Sequence, residues 1–201
     1  QVIFDATKNG NNGSIHYDHA WTDEGFAAAK FPNGGALESG GDDTKVTWGG
    51  WSPPKMPQRA EVIGLPALGS PMTATFWMKP RRVDVRQGLW SFQSGGSARL
   101  GLELGADGRF RLTGGTLSAT GGGPAAGRWQ HVALVLDGAG ATVYLDGRAV
   151  FTAEGAPSRG PITAMTMGKV GSDAFGGTLD DARIYDRALA TDELASLVAG
   201  H

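Results

Sequence analysis

Few residues of this 201-residue chain have the types and spacing to do chemistry, and those that do suit binding better than bond-breaking. Hydrolysis of a glycosidic bond needs two carboxylates, one acting as acid and the other as nucleophile or base. Glu103 stands alone between Leu102 and Leu104. There is no Gly-x-Ser-x-Gly elbow to present a serine nucleophile. The absence of cysteine removes thiol nucleophiles, disulfides and zinc–thiolate sites together. His16 and His19 are three apart, but Ser14 to Tyr17 reads as a strand, in which such positions face opposite ways.

Two other groups point to ligands. Sugars stack their C–H faces on flat aromatic rings while their hydroxyls seek carboxylate, amide and guanidinium partners. Of six tryptophans, Trp21, Trp48 and Trp51 lie in or beside polar loops, next to Asp, Gly and Pro. Each is either a lid over the core or an exposed platform. Trp77, in an apolar strand, and Trp90, which alternates with Phe92, are assigned to the core. The run Asp5-Ala-Thr-Lys-Asn9-Gly-Asn11-Asn-Gly13 crowds side-chain and backbone oxygens into a coil. Hard Ca²⁺ takes six to eight such ligands, so the run is either a cation loop or a turn between strands. Its spacing is not that of an EF-hand.

The elements that must position these residues are strands. From Gln130 to Leu136 the residues alternate, with Val132, Leu134 and Leu136 on one face and Ala133 and Val135 on the other. Asp137-Gly-Ala-Gly140 reverses the chain, Thr142 to Leu145 returns, and Asp146-Gly147 turns it again into Arg148 to Thr152. This predicts a three-strand antiparallel meander, one face in a core and the other lining a groove. Further strands are expected at Val62–Leu65, Thr73–Met78, Leu89–Phe92, Arg99–Leu104, Phe110–Thr113, Thr163–Gly168 and Gly176–Tyr185. The glycine-rich stretch 114–127 reads as loop with little of its own to bury. One helix is expected at the C-terminus, capped by Thr191, with Leu194, Leu197 and Val198 as its apolar stripe. About a dozen strands and one short helix give an all-β, two-sheet antiparallel sandwich, with Val132, Leu134, Leu145, Phe76 and Ile184 inward.

Composition fits one such domain over residues 1–201. Glycine (33) and proline (10) are turn-rich without reaching the disordered range. With a net charge of −2, no run of like charges and no long apolar segment, nothing attracts nucleic acid or enters a membrane.

Four segments carry a family resemblance: Asp5 to Ile15, Thr73 to Lys79, the Trp129-x-His-Val-Ala133 … Tyr144-Leu-Asp-Gly147 pair, and Phe175 to Leu189 (FGGTLDDARIYDRAL). Together they resemble the bacterial laminin G-like domains of the concanavalin A-like lectin/glucanase fold. The resemblance implies a jelly roll, with Trp129 in the core and His131 structural, in an exported or cell-surface bacterial protein. The family's usual extra first strand is missing, and the chain starts at Gln1, which reads as an excised module. Asp5, Asn9 and Asn11 match the first signature and Asp180 the last. Pairing of the first and last strands would bring these four together around a structural Ca²⁺, with Asp181 on the opposite face.

This fold hosts lectins, adhesins and enzymes alike, so function rests on the site. The related glucanases carry Glu-x-Asp-x-x-Glu along one strand, a string absent here. The expected function is non-catalytic binding of an oligo- or polysaccharide, with Trp48, Trp51 and Trp21 as stacking candidates. The alternatives are a structural or adhesion module that binds protein or spaces domains, and a jelly-roll hydrolase or lyase. A lyase would draw on His131, Tyr144, Arg109 and Arg111.

Overall fold

Alternation of inward apolar and outward polar residues, interrupted by Gly/Asp turns, folds this chain into antiparallel strands stacked as two sheets. The computed structural model describes residues 59–158 and 160–200, together with the strands Val2–Ile3, Gly13–His16, Ala20–Thr22 and Ala36–Gly40. The eight-stranded sheet runs β1 (Val2–Ile3), β2 (Gly13–His16), β5 (Arg59–Leu68), β14 (Ile162–Met167), β7 (Gln87–Ser94), β8 (Ser97–Leu104), β9 (Phe110–Gly114), β10 (Leu117–Gly121). The seven-stranded sheet runs β13 (Arg148–Glu154), β12 (Gly140–Leu145), β11 (Gln130–Leu136), β6 (Met72–Pro80), β17 (Gly176–Tyr185), β4 (Ala36–Gly40), β3 (Ala20–Thr22). A two-strand hairpin of β15 (Lys169–Val170) and β16 (Asp173–Ala174) stands apart, and α1 (Thr191–Ala199) follows the last strand. The expected sandwich and its central meander are both present. Among the described residues the strands number seventeen, more than the expected dozen, because several are only two to five residues long.

The core lies between the sheets. Val132, Leu134 and Phe76 are fully buried there, while Leu145 and Ile184 pack against the same cluster from partly buried positions. Trp90 joins the two layers: its ring meets Phe76 edge-on at 4.8 Å and stacks on Phe92 at 5.2 Å. Its indole N–H points at the Met165 sulfur, 3.1 Å away. Trp129 departs from expectation. It lies just before β11, half-buried and outside this core.

The second face of the meander does not line a groove. Ala133 and Val135 are buried in a smaller cluster with Leu189 and Leu194, so α1 and the segment leading into it cover that face. Thr73 ties the segment down, its hydroxyl donating to the Arg187 carbonyl and accepting the Leu189 N–H. The helix cap is also not Thr191. Ala190 is the cap position, and the Glu193 side chain reaches back to its N–H at 2.9 Å. Hydrogen bonding from the Arg187 guanidinium, then from the Ala190 N–H, lowers the Glu193 carboxyl from its ordinary 4.5 to about 2.

The stretch 114–127 is likewise more than loop. Leu117–Gly121 pairs with β9 and puts Leu117 into the core, because the alternation of Leu117 and Ala119 against Ser118 and Thr120 persists despite the glycines.

The Trp-x-His and Leu-Asp-Gly motifs form one clasp. Asp146 has a left-handed backbone (φ 50), and its carboxylate accepts the His131 backbone N–H at 2.8 Å and the Gln130 side-chain amide at 3.2 Å. The Gln130 side-chain oxygen in turn accepts the Ala125 N–H. Gly147 (φ 75) keeps the turn thin where the Ala195 backbone of α1 passes. Asp146→Ala therefore loses two carboxylate hydrogen bonds and a residue tolerant of the left-handed region, and is expected to cost about 1–2 kcal/mol. Asp146→Asn, which keeps an acceptor and that tolerance, should cost less. Denaturant unfolding of the two variants checks the order.

Candidate functional site

Strand register lines up a polar row on the outer face of the eight-stranded sheet. Glu61, Thr166, Ser91, Gly101, Thr113 and Ser118 are successive cross-strand partners from β5 to β10. Their sequence neighbours Met165, Met167, Phe92, Leu100, Leu102 and Leu112 belong to the core, so the row faces away from it. Two residues further along, Glu103 of β8 pairs with Arg111 of β9, which pairs with Thr120 of β10. Gln93 and Thr166 add a side-chain hydrogen bond of 3.0 Å on this face.

The β15–β16 hairpin lies over part of this surface, and glycine makes room for it. A Cβ at Gly88 would overlap the Val170 nitrogen and the Asp173 carbonyl oxygen, and one at Gly101 would stand 3.2 Å from Val170 Cγ1. The hairpin brings Asp173 to the guanidinium of Arg86, Nε to carboxylate 2.8 Å. Arg86 also donates from Nη2 and Nε to one oxygen of Glu103, at 2.8 and 3.1 Å. The hydrogen bond to Glu103, then the charges of Glu103 and Asp173, hold the Arg86 guanidinium above its ordinary pKa.

Beside this triad is a hollow of about 420 Å³, lined by Arg86, Glu103, Gly105, Ala106, Arg111 and Thr113. Glu103 is buried, while Arg111, Thr113 and Ala106 are exposed at the rim. Arg111 donates to Asp107 at 3.1 Å. Desolvation works against the charge on Asp107, but the Arg109 N–H and the Arg111 guanidinium outweigh it and hold that carboxyl below its ordinary value. Donors and acceptors therefore alternate over a short distance, the chemistry a polyhydroxylated ligand requires.

The residues expected to act fall as follows. Trp48, Trp51, Asp5, Asn9 and Asn11 lie outside the described residues. Trp21 is in β3, paired with Leu37 at the far end of the seven-stranded sheet, rather than in a loop. It is thus on the other sheet from the hollow. Asp180 is buried on β17, opposite Trp77, and its carboxylate accepts the Asp181 N–H at 2.8 Å. The expected pairing of first and last strands does not occur: β1 pairs with β2 in one sheet, and β17 lies between β6 and β4 in the other. Nor does Asp181 simply alternate with Asp180. A bulge between Asp180 and Arg183 places Asp181 in the left-handed region (φ 46), where its carboxylate holds Arg183 through two bonds of 2.7 Å. Among the described residues, no three His, Cys, Asp or Glu side chains group as metal ligands would.

The four lyase candidates are not brought together. His131 is buried in β11, its ring edge-on to Trp77 at 5.2 Å, and Tyr144 packs against the α1 cluster. Arg111 is on β9 of the opposite sheet and Arg109 immediately precedes that strand. The hollow itself is not legible in the sequence. Arg86, Glu103 and Asp173 are far apart along the chain, and only the isolated glutamate of β8 stands out there.

Comparison with known proteins agrees with this architecture. Residues 59–195 match a family model described as the concanavalin A-like lectin/glucanases superfamily. No curated protein matches the sequence. Among solved structures, domain 4 of an extracellular GH43 arabinanase from Geobacillus stearothermophilus, in complex with arabinotriose, is similar. It has a TM-score of 0.71 at 18% identity, over 98% of this chain and 92% of that one. A structure concerning botulinum neurotoxin type C, whose cell entry depends on two ganglioside molecules, gives 0.68 at 9% identity, over 98% of this chain and 48% of the other. Trypanosoma rangeli sialidase with the inhibitor DANA gives 0.67 at 14% identity, over 94% of this chain and 29% of the enzyme. The chain thus spans nearly all of the arabinanase domain but less than half of the toxin chain and of the sialidase.

Proposed function

Because the chain belongs to the concanavalin A-like lectin/glucanase superfamily, we propose that it is a non-catalytic carbohydrate-binding module of an exported bacterial protein. The observation that carries this reading is the hollow at Arg86, Glu103, Arg111 and Thr113, which alternates donors and acceptors beside an outward polar row. Its one carboxylate, Glu103, and the nearby Asp173 and Asp107 are held by arginines rather than set across an open cleft as an acid and a nucleophile. Sugars named with the similar structures support a ligand of this class, and the similar arabinanase is extracellular. Among the described residues no helix is long and apolar enough to cross a membrane. Titration with oligosaccharides, with the sugar recovered and analysed afterwards, tests both halves of the reading.

Stacking through Trp51, Trp48 or Trp21 is a second, separate element of the proposal, Trp21 being on the other sheet from the hollow. Trp51→Ala is expected to weaken sugar binding by about 1–2 kcal/mol, the scale of one aromatic contact with its buried area. Its melting temperature should match that of the parent protein. A lowered melting temperature with unchanged affinity would make Trp51 a core lid instead.

Calcium is proposed for the N-terminal segment, with Asp5, Asn9, Asn11 and Asp180 as oxygen donors. A cation that binds only the folded chain stabilises it by mass action, about 2.7 kcal/mol at a hundredfold excess over Kd. Millimolar Ca²⁺ should raise the melting temperature by several degrees on that principle, and chelator should reverse the rise. Asp180→Asn tells whether β17 contributes, and a melting curve indifferent to both reagents removes calcium from the account.

A further inference from the structure

The outward polar row is open along only part of its length. Over β14 and β7 it is covered, Thr166 and Ser91 being each 5% exposed, and Gly101 of β8 is buried. Over β9 and β10 it is open, with Thr113, Ser118 and Thr120 exposed. The β15–β16 hairpin stands at the boundary. Its Val170 side chain lies over Gly101, with Cγ1 3.2 Å from where a Cβ would stand, and the Thr113 hydroxyl is 3.8 Å from the same point. Its Asp173 is held to Arg86, which lines the hollow from that side. The hollow therefore has a wall toward β7. A second boundary is the turn after β8, whose Gly105 and Ala106 line the hollow and whose Gly105 N–H donates to the Arg109 carbonyl at 2.8 Å. The side toward β10 is open, and β10 is the last strand of its sheet. A sugar chain bound along its interior needs a groove open at both ends, whereas this one is blind at one. Strands lie about 4.8 Å apart, so β8 to β10 spans about 10 Å, the length of two or three sugar rings.

Resting on the carbohydrate-binding reading, we propose that the hollow receives the end of a sugar chain, so that its ligands are free chain termini and not chain interiors. The terminal ring sits against the hairpin wall, and the rings that follow leave across β9 and β10. A terminal ring carries one hydroxyl that an interior ring has lost to its glycosidic linkage. Glu103 supplies an acceptor for it at the closed end. Both bonds from Arg86 go to Glu103 Oε2, and among the described residues no donor is bonded to Oε1. With only 7% of the residue exposed, that carboxylate is fixed in place before any ligand arrives.

The test is calorimetric titration of the full chain with neutral arabino-, xylo- and gluco-oligosaccharides of increasing length, and with the matching linear polysaccharides. Affinity should rise to about the trisaccharide, the length that spans β8 to β10, and then level off. A linear polysaccharide should take up a single protein per chain, however long the chain is. For a longer oligosaccharide that binds, blocking one terminus should abolish binding, and blocking the opposite terminus should leave it unchanged. The blocks are reduction at the reducing end and methylation of the terminal hydroxyl at the other. Thr113→Met, which fills the hollow from its rim, should abolish binding at an unchanged melting temperature. Several proteins on one polysaccharide chain, or indifference to both blocks, overturns end recognition while leaving carbohydrate binding standing. Unchanged affinity in Thr113→Met overturns the placement in this hollow. Failure of every sugar, oligomer and polymer alike, overturns the functional reading itself.

Discussion

Trp90→Ala is expected to destabilise the fold by about 3–5 kcal/mol, more than a substitution in any turn or at the rim of the hollow. The indole is completely buried and bridges the sheets, edge-on to Phe76 of β6 and stacked on Phe92 of its own strand. Truncation loses the transfer free energy of the ring and leaves a void between rigid strands that cannot close over it. It also removes the donor facing the Met165 sulfur. A typical domain is stable by only about 5–15 kcal/mol, so the variant should express poorly or melt far below the parent. Trp90→Phe keeps most of the aromatic volume and should fall between the two. Thermal melts of the three proteins check the order, and a Trp90→Ala melt within a degree or two of the parent would refute the role given to this ring.

Gly88→Ala is the second large effect, and it links fold to function. The added methyl would overlap the backbone of Val170 and Asp173, atoms that cannot rotate away as a side chain tip can. Relief requires the β15–β16 hairpin to lift from β7. Overpacking of this kind costs about 1–3 kcal/mol. The functional consequence is the more diagnostic one. As the hairpin lifts, Asp173 leaves Arg86, and the guanidinium keeps only Glu103. Gly88→Ala should therefore weaken sugar binding at the hollow, while the core stays intact by near-ultraviolet dichroism. Unchanged affinity would show that the hairpin has no part in shaping the hollow.

Both expectations show which parts of the molecule are legible in the sequence. Apolar β-prone runs bounded by Gly/Asp turns stand out, and Gln130–Leu136 and Gly176–Tyr185 end where their residue patterns end. Which residues of such a run share a face is a local property, readable from the sequence alone. Leu117–Gly121 is hidden because glycine signals loop, although pairing with β9 holds those residues as a strand. The apolar second face of β11 is visible, but its cover is not, since covering depends on where α1 returns. Thr191 has the chemistry of a cap, yet Glu193 serves Ala190 and moves the helix start back by one residue. The bulge at Asp181 changes the direction of its side chain through a single left-handed residue, which alternation cannot foresee.

The candidate site is less legible for the same reason. Glu103 looks like a lone carboxylate because its cross-strand neighbour Arg111 comes from β9 and its ion-pair partner Arg86 from the segment before β7, where Asp173 of the distant hairpin also reaches Arg86. Register alone assembles them. The tryptophans stand out because stacking is a property of the residue type, whereas a hollow of paired charges is a property of the fold.

The measurement that bears most directly on the central claim is titration of the intact chain with a panel of neutral oligosaccharides, followed by mass analysis of the recovered sugar. Carbohydrate binding without catalysis predicts saturable heats for at least one sugar, which Thr113→Met eliminates without lowering the melting temperature, and return of that sugar uncleaved. Absence of heat across the panel, or recovery of shortened or unsaturated products, would contradict it.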